Sequence, residues 1–323
     1  MRAFNHFSAQ TLDEASAMLQ KEDAVIIAGG GDLLGALKDD ISRSYPRLVV
    51  NIKTIPGLDK IEAENGVLRV GALATLADIS RSELVLEKAP ALAKAAGKCS
   101  APNLRETTTI GGNICQLPRC WYFRKLNNRF DCSRKGGQRC FAISGENRFH
   151  SVFGVGSFEN CDGQKRVCAA VNQAECAPVL VALNAVICTD KRRIPAGEFF
   201  AVGVMSSTVL ARGEIVTGIE IPVDEARREC YERFAFRKSI DFPVINLSIA
   251  VDADKRYRIC LGGVAPVPYE PQSAMALLEG KDITEELAAA AGEAACEGAK
   301  PYEANEYKLQ LVKTLLKRAL LAL

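Results

Sequence analysis

The sequence predicts a mixed chain, α/β at its start and α+β at its end, and three observations carry that expectation. Short apolar strands alternate with capped helices through the first hundred residues. The alternation then dissolves between Cys115 and about Lys165 into Gly, Arg, Asn and aromatics. After that, short strands resume and give way to helices that run to the C-terminus.

In chain order, Thr11-Leu-Asp-Glu14 forms a capping-box pattern that opens a helix with Leu12, Ala15 and Leu19 on one face. Ala24 to Ala28 is a buried strand, broken at once by Gly29-Gly30-Gly31, and LLGALKDD after Asp32 reads as a helix. Leu48 to Ile52 and Val67 to Leu73 are two further strands. Thr75 and Asp78 signal a second cap, with another helix over Ala89 to Lys98. Ala177 to Ile187 suits either a helix or a strand closing this unit. Strands are expected at Ile215 to Ile221, Arg233 to Arg237, Ile245 to Asp252 and Arg258 to Val264. A final helix, Glu303 to Leu323, sets Leu309, Val312, Leu316, Leu320 and Leu323 on one stripe. The composition changes near Pro222-Val223-Asp224-Glu225, the expected domain boundary.

With 323 residues, 48% of them hydrophobic, the chain is long enough for two or three cooperating subdomains. A formal net charge of +2 argues against a dedicated nucleic-acid binder. No apolar run approaches a membrane span and no secretory leader is legible, so a cytoplasmic, reducing setting is expected. There the twelve cysteines are not disulfides. Cys188, Cys230, Cys260 and Cys296 sit in apolar or helical contexts and read as small buried thiols. Only two histidines, His6 and His150, are present, which excludes a His-rich metal site and argues against a Cys–His nucleophile pair.

Two glycine loops punctuate the α/β part. In Ala28-Gly29-Gly30-Gly31-Asp32-Leu33, glycines between strand and helix let backbone approach a ligand, and free amides can cradle phosphate. The loop fails the dinucleotide fingerprint, whose third glycine would fall on Leu34, and no Lys-Ser/Thr follows Gly35. The second loop, Thr108-Thr109-Ile110-Gly111-Gly112-Asn113, also lies at the edge of regular structure. Two such loops suit a pyrophosphate ligand held between subdomains.

The stretch CQLPRCWYFRKLNNRFDCSRKGGQRCF, Cys115 to Phe141, holds four cysteines, seven Lys or Arg and five aromatics. Disulfides need an oxidising compartment. A zinc ribbon would show C-x-x-C, a spacing no two cysteines of this chain have. RNA binding would employ Arg119, Arg124, Lys125, Arg129, Arg134, Lys135 and Arg139, with Trp121, Tyr122 and Phe123 as stacking faces. An iron–sulfur cluster tolerates loose spacing between its four thiolates, and basic neighbours would offset their negative charge.

The segments IIAGGGDLL and TTIGGNI resemble the paired flavin-binding loops of the FAD subunit of the xanthine dehydrogenase and molybdenum hydroxylase family. RICLGGVAPVPYEPQSAMALLEGK is similar to that family's C-terminal domain, so the resemblance spans nearly the whole chain. It implies a two-part FAD-binding domain, residues 1–55 and 56–222, followed by a C-terminal α+β domain, 223–323. It also implies FAD contacts from Ala28, Gly29, Gly30, Gly31, Asp32, Leu33, Thr109, Ile110, Gly112, Asn113, Glu175, Lys238 and Asp241. Two departures stand out. Gly31 replaces a customary Thr, and Asn172-Gln173-Ala174-Glu175 replaces His-Pro-Ser-Asp.

CQLPRCWYFRK, GGQRCF and GENRFHSVFGV resemble the [4Fe–4S] insertion carried by a subset of that family, including the flavin subunits of 4-hydroxybenzoyl-CoA reductase and some bacterial aldehyde oxidoreductases. The insert would cover about 115–168, with Cys120, Cys132, Cys140 and Cys168 as ligands, Cys161 as competitor for the fourth place and Cys115 as a bystander. The implied function is an electron-transfer subunit working beside a molybdopterin-containing large subunit and a small [2Fe–2S] subunit. Its external carrier would be ferredoxin, beside or instead of NAD. The alternative from another class is a cluster-bearing RNA-binding or scaffold protein without flavin.

Overall fold

Strands Asn5–Ser8 and Ala24–Ile27 both pair in parallel with Leu48–Asn51, which lies between them. Parallel neighbours need crossovers, and helices Leu12–Leu19 and Leu33–Lys38 supply them. In this computed structural model, which describes residues 1–237 and 240–323, Thr11 caps the first helix by accepting from the Glu14 amide at 3.2 Å. The Glu14 carboxylate accepts instead from the Gln10 amide, one residue upstream of the cap.

A five-stranded antiparallel sheet follows, in the order Ile61–Glu64, Val67–Gly71, Val216–Pro222, Val186–Thr189, Arg193–Pro195. Its apolar side chains form one core with helices Leu76–Arg81, Glu83–Lys88, Pro90–Lys98, Ile110–Ile114 and Ala177–Ala182. The Thr75–Asp78 capping box forms as expected. The run Ala177 to Ile187, which suited helix or strand, is both in succession. Helix Ala177–Ala182 stops where Asn184 turns to φ 54°, and strand Val186–Thr189 begins after it.

The C-terminal unit is a three-stranded antiparallel sheet, Arg228–Phe234, Ile245–Val251 and Tyr257–Gly262. Every residue of its central strand is buried, because helix Ala177–Ala182 packs on it from one unit and the C-terminal helices from the other. The first strand ends at Phe234 rather than Arg237 and starts five residues earlier than the sequence suggested. Ion pairs Arg227–Glu229 and Lys94–Glu232 satisfy its charged side chains, which hid the strand in a polar pattern. In the last helix, Tyr307–Leu321, Val312, Leu316 and Leu320 are buried and Leu309 and Leu323 pack alongside. That helix starts four residues later than expected, because Asn305 turns the chain by accepting from the Tyr302 amide at 2.8 Å.

Lys308 at the start of this helix is fully buried. Its Nζ donates to the carbonyls of Phe149, His150 and Gly263 at 2.9, 2.9 and 2.7 Å. Asn305 Nδ2 adds bonds to the carbonyls of Asn147, His150 and Ser151. Together they clamp the segment 147–151 onto the C-terminal unit. Lys308→Met keeps the volume and strands two carbonyls, those of half-buried Phe149 and buried Gly263. It should cost about 3 kcal/mol and lower the thermal midpoint by roughly 5 °C or more. An unchanged midpoint would show that the clamp contributes nothing to stability.

No helix among the described residues is long and apolar enough to cross a membrane.

Candidate cofactor sites

The two glycine loops lie against each other. A Cβ on Gly29 would fall 1.8 Å from the Thr107 carbonyl oxygen, so only glycine allows this approach. Gly30 turns at φ 75°, and Gly31 meets only Thr108 Oγ1 at 3.4 Å from its Cβ position. Among the described residues no protein acceptor meets the amides of Gly29, Gly30, Gly31, Asp32 and Leu33, which leaves five consecutive donors at one strand-to-helix turn. The second loop is anchored differently. Ile110 and Gly111 donate to the carbonyls of Ala74 and Ala72, and Thr109 Oγ1 accepts from Gly112. Gly112 is exposed beside it, with nothing but Thr109 Oγ1 near its Cβ position. A run of free amides beside positions that lack Cβ atoms fits a pyrophosphate.

Several residues implied by resemblance point elsewhere. The Asn113 side chain is buried, with Nδ2 at 3.5 Å from Cys99 Sγ and Oδ1 accepting from the Cys176 amide. Glu175 is buried in the same network. It accepts from Tyr231 Oη at 2.6 Å and is ion-paired with Arg233 at 3.0 Å. Burial raises its pKa, opposed by Arg233 and the Tyr231 hydroxyl. Arg233 Nη2 also holds the Asp241 carbonyl, while the Asp241 carboxylate is tied to exposed Arg237. Lys238 lies outside the described residues.

Asp32 has three partners in the cysteine-rich stretch. Its carboxylate accepts from the Leu117 amide at 2.9 Å and pairs with Arg119 at 2.8 Å and Arg124 at 2.6 Å. The first glycine loop and the stretch are therefore one piece of structure.

That stretch is held by two short 3₁₀ turns, Leu126–Asn128 and Ser133–Lys135, and ends in a hairpin, Gly156–Glu159 with Lys165–Cys168, which the sequence reading missed. It wraps a small cavity, with about 10 Å³ of open space, lined by Cys120, Cys132, Cys140 and Cys168 together with Tyr122, Phe123, Phe141 and Arg134. Cys161 is exposed at the hairpin tip and Cys115 packs beside the sheet core, so neither lines this cavity. Of the thiols read as buried from their contexts, Cys260 is, whereas Cys188, Cys230 and Cys296 are half-buried.

Burial pushes Cys120 up to about 12 and raises Cys132, so these thiols ionise only with a positive partner in the cavity. The proximity of Cys140 and Cys168 lowers the pKa of Cys140 and, together with burial, raises that of Cys168. No three His, Cys, Asp or Glu groups among the described residues come close enough to hold a single metal ion. A cluster is larger than one ion and asks for thiols set around a space.

Arg134 and Lys135 were candidates for a nucleic-acid face, and both are buried here instead. Arg134 Nη2 holds Ser206 O and Ser207 Oγ, but its Nε has no partner among the described residues. Lys135 reaches Phe123 O at 3.3 Å, and burial lowers its pKa. Phe123 is buried as well, so among the described residues three of the ten side chains expected on an RNA-binding face lie inside the fold. Two buried cations beside four thiols fit a ligand set that is anionic when loaded.

Two residues were missed as site components. Lys53 donates to Ala28 O at 3.0 Å and Asn51 Oδ1 at 2.6 Å, placing an ammonium at the edge of the first loop, where partial burial lowers its pKa. His150, 3% exposed, sets Nε2 at 3.2 Å from Cys120 Sγ. Burial and then Lys308 push it down to about 4, which keeps the ring neutral. Neither carries a sequence signal beyond its residue type.

Residues 2–224 match the family model for the FAD binding domain in molybdopterin dehydrogenase, and residues 230–323 that for the CO dehydrogenase flavoprotein C-terminal domain. The chain is 29% identical to the aldehyde oxidoreductase FAD-binding subunit PaoB of Escherichia coli, over 98% of this chain and 96% of that one. It is 25% identical to the carbon monoxide dehydrogenase medium chain of Hydrogenophaga pseudoflava, over 98% and 96%. Among solved structures, quinoline 2-oxidoreductase from Pseudomonas putida shares the fold at a TM-score of 0.75 and 23% identity, covering 99% of this chain and 96% of that one. The predicted mixed fold is the observed one, and the chain belongs to the FAD-binding medium-subunit family of the molybdenum hydroxylases, which are oxidoreductase flavoproteins.

Proposed function

We propose that this chain is the FAD- and [4Fe–4S]-carrying electron-transfer subunit of a multi-subunit molybdenum hydroxylase. It would relay electrons between [2Fe–2S] centres of a small partner subunit and an external carrier, ferredoxin or NAD. Substrate chemistry would lie on a molybdopterin-containing large subunit. The observation that supports the cluster is the small cavity that Cys120, Cys132, Cys140 and Cys168 all line, with buried Arg134 in its wall and buried Lys135 next to Cys132.

Bound to this chain, FAD supplies two-electron exchange and the cluster one-electron exchange, chemistry no side chain here provides. The chain's own residues do the holding. The free amides of Gly29 to Leu33 and the open backbone at Gly31 and Gly112 receive the pyrophosphate, with the Lys53 ammonium nearby. The four cysteines provide thiolates, and Arg134 and Lys135 offset their charge. Division into 1–55, 56–222 and 223–323 assigns one glycine loop to each of the first two parts.

The test is assembly. Tagged chain pulled from its native host should bring down a large molybdenum-containing subunit and a small [2Fe–2S] subunit, across an interface on the order of 2,000 Å² or more. Expressed alone, it should bind FAD and reduce artificial dyes without substrate turnover. Recovery of the chain by itself with turnover intact would sink the proposal.

A further inference from the structure

We infer that His150 is a positioning residue for the iron–sulfur cluster, donating its Nε2–H to the Cys120 sulfur and thereby raising the cluster's reduction potential; this rests on the cluster assignment proposed above. His150 Nε2 lies 3.2 Å from Cys120 Sγ. Among the described residues it is the one side chain other than cysteine at hydrogen-bond distance from any of the four thiols. The remaining sulfur contacts are backbone amides, such as Ala169 to Cys140 at 3.5 Å and Ala170 to Cys168 at 3.3 Å.

A ligating thiolate carries no proton, so the ring nitrogen facing it must be the donor. That fixes the tautomer: Nε2 protonated, Nδ1 a bare lone pair. Nδ1 is buried with no partner among the described residues, and the ring packs against Trp121 and Tyr122. A buried orphan on one side of the ring is tolerable when the other side makes a strong, charge-assisted bond.

The ring does not choose this position alone. The His150 amide donates to Asn147 O at 2.8 Å, and its carbonyl accepts from Lys308 Nζ at 2.9 Å and Asn305 Nδ2 at 3.2 Å. The C-terminal helix thus fixes the backbone from which the imidazole reaches Cys120. A hydrogen bond to a cluster sulfur is worth more in the reduced, more negative state, so it favours reduction.

The test uses the full chain, purified anaerobically. In wild-type protein grown with ¹⁵N-histidine, pulsed EPR of the reduced cluster should show a ¹⁵N coupling. With two histidines in the sequence and His6 on the exposed first strand, that coupling reports His150. His150→Phe should keep its iron while the midpoint potential falls by about 59 mV or more, a tenfold change in the one-electron equilibrium. His150→Gln, which retains a donor, should recover most of that shift. An absent ¹⁵N coupling, or an unchanged potential in iron-replete His150→Phe, overturns the inference. A wild-type chain without iron overturns the cluster assignment itself, and the inference with it.

Discussion

Cys168→Ser is expected to strip the chain of iron, from about four atoms per chain, the content of one Cys₄-ligated [4Fe–4S] centre, to near none. Cys161→Ser should leave it fully loaded. The contrast follows from placement. Cys168 ends the second strand of the hairpin, is 4% exposed and lines the cavity with Cys120, Cys132 and Cys140. Cys161, seven residues earlier, sits in the turn at the exposed tip, where Asn160 Oδ1 accepts from its amide. A serine hydroxyl in the buried position is a poor iron ligand and leaves three thiols beside two buried cations. Iron analysis and visible absorption of anaerobically purified variants decide the matter. Iron lost from Cys161→Ser but kept in Cys168→Ser would move the fourth ligand to the hairpin tip.

Gly29→Val is expected to leave a folded chain that has lost most of its flavin. The first atom of the new side chain would fall 1.8 Å from the Thr107 carbonyl oxygen and 3.2 Å from Thr108 Cα. These are backbone atoms and cannot swing aside, so the two glycine loops must part. Separating packed elements to admit extra carbon costs typically 1–3 kcal/mol, which is about fivefold to 150-fold in affinity when the displaced surface is the binding site. Gly35→Ala is the control, since its Cβ meets nothing within 4 Å. It should keep its flavin and gain slightly in helix stability. Flavin released per folded chain, with circular dichroism to check folding, gives the readout. Full flavin in folded Gly29→Val would separate the loops from the flavin site.

The elements legible in the sequence were those whose burial is one-sided and whose caps are local. Thr75 and Asp78 announced their helix because both halves of the box lie within four residues. Strand Arg228–Phe234 was misplaced because its charges are answered from afar, by Lys94 for Glu232, so its pattern looked solvated. The glycine loops were readable as a pair, but Gly29 earns its place by a contact with Thr107 that no local pattern displays. For the cysteines, composition exposed the oddity and resemblance chose four of them. That Cys168 shares a cavity with Cys120 depends on the hairpin, whose short polar strands gave no signal. Asp32 and Asn113 show the limit of inheritance by motif. Each sits in its expected loop, yet the side chain of one turns to Arg119 and Arg124 and that of the other to the interior around Cys99.

The tie between Asp32 and the cysteine-rich stretch bears on how such a segment can be gained or lost in descent, or moved by an engineer. Its anchors are scattered: a carboxylate in the first glycine loop, an Asn and a Lys at the start of the last helix, and a serine pair, Ser206 and Ser207, that receives Arg134. Excising 115–168 and joining the flanks would leave Asp32 without Arg119, Arg124 and the Leu117 amide, and Lys308 without two of its three carbonyls. Grafting the segment onto a sister chain would succeed only if those receptors travelled with it. The segment is contiguous in the gene, but its sockets are distributed across the molecule.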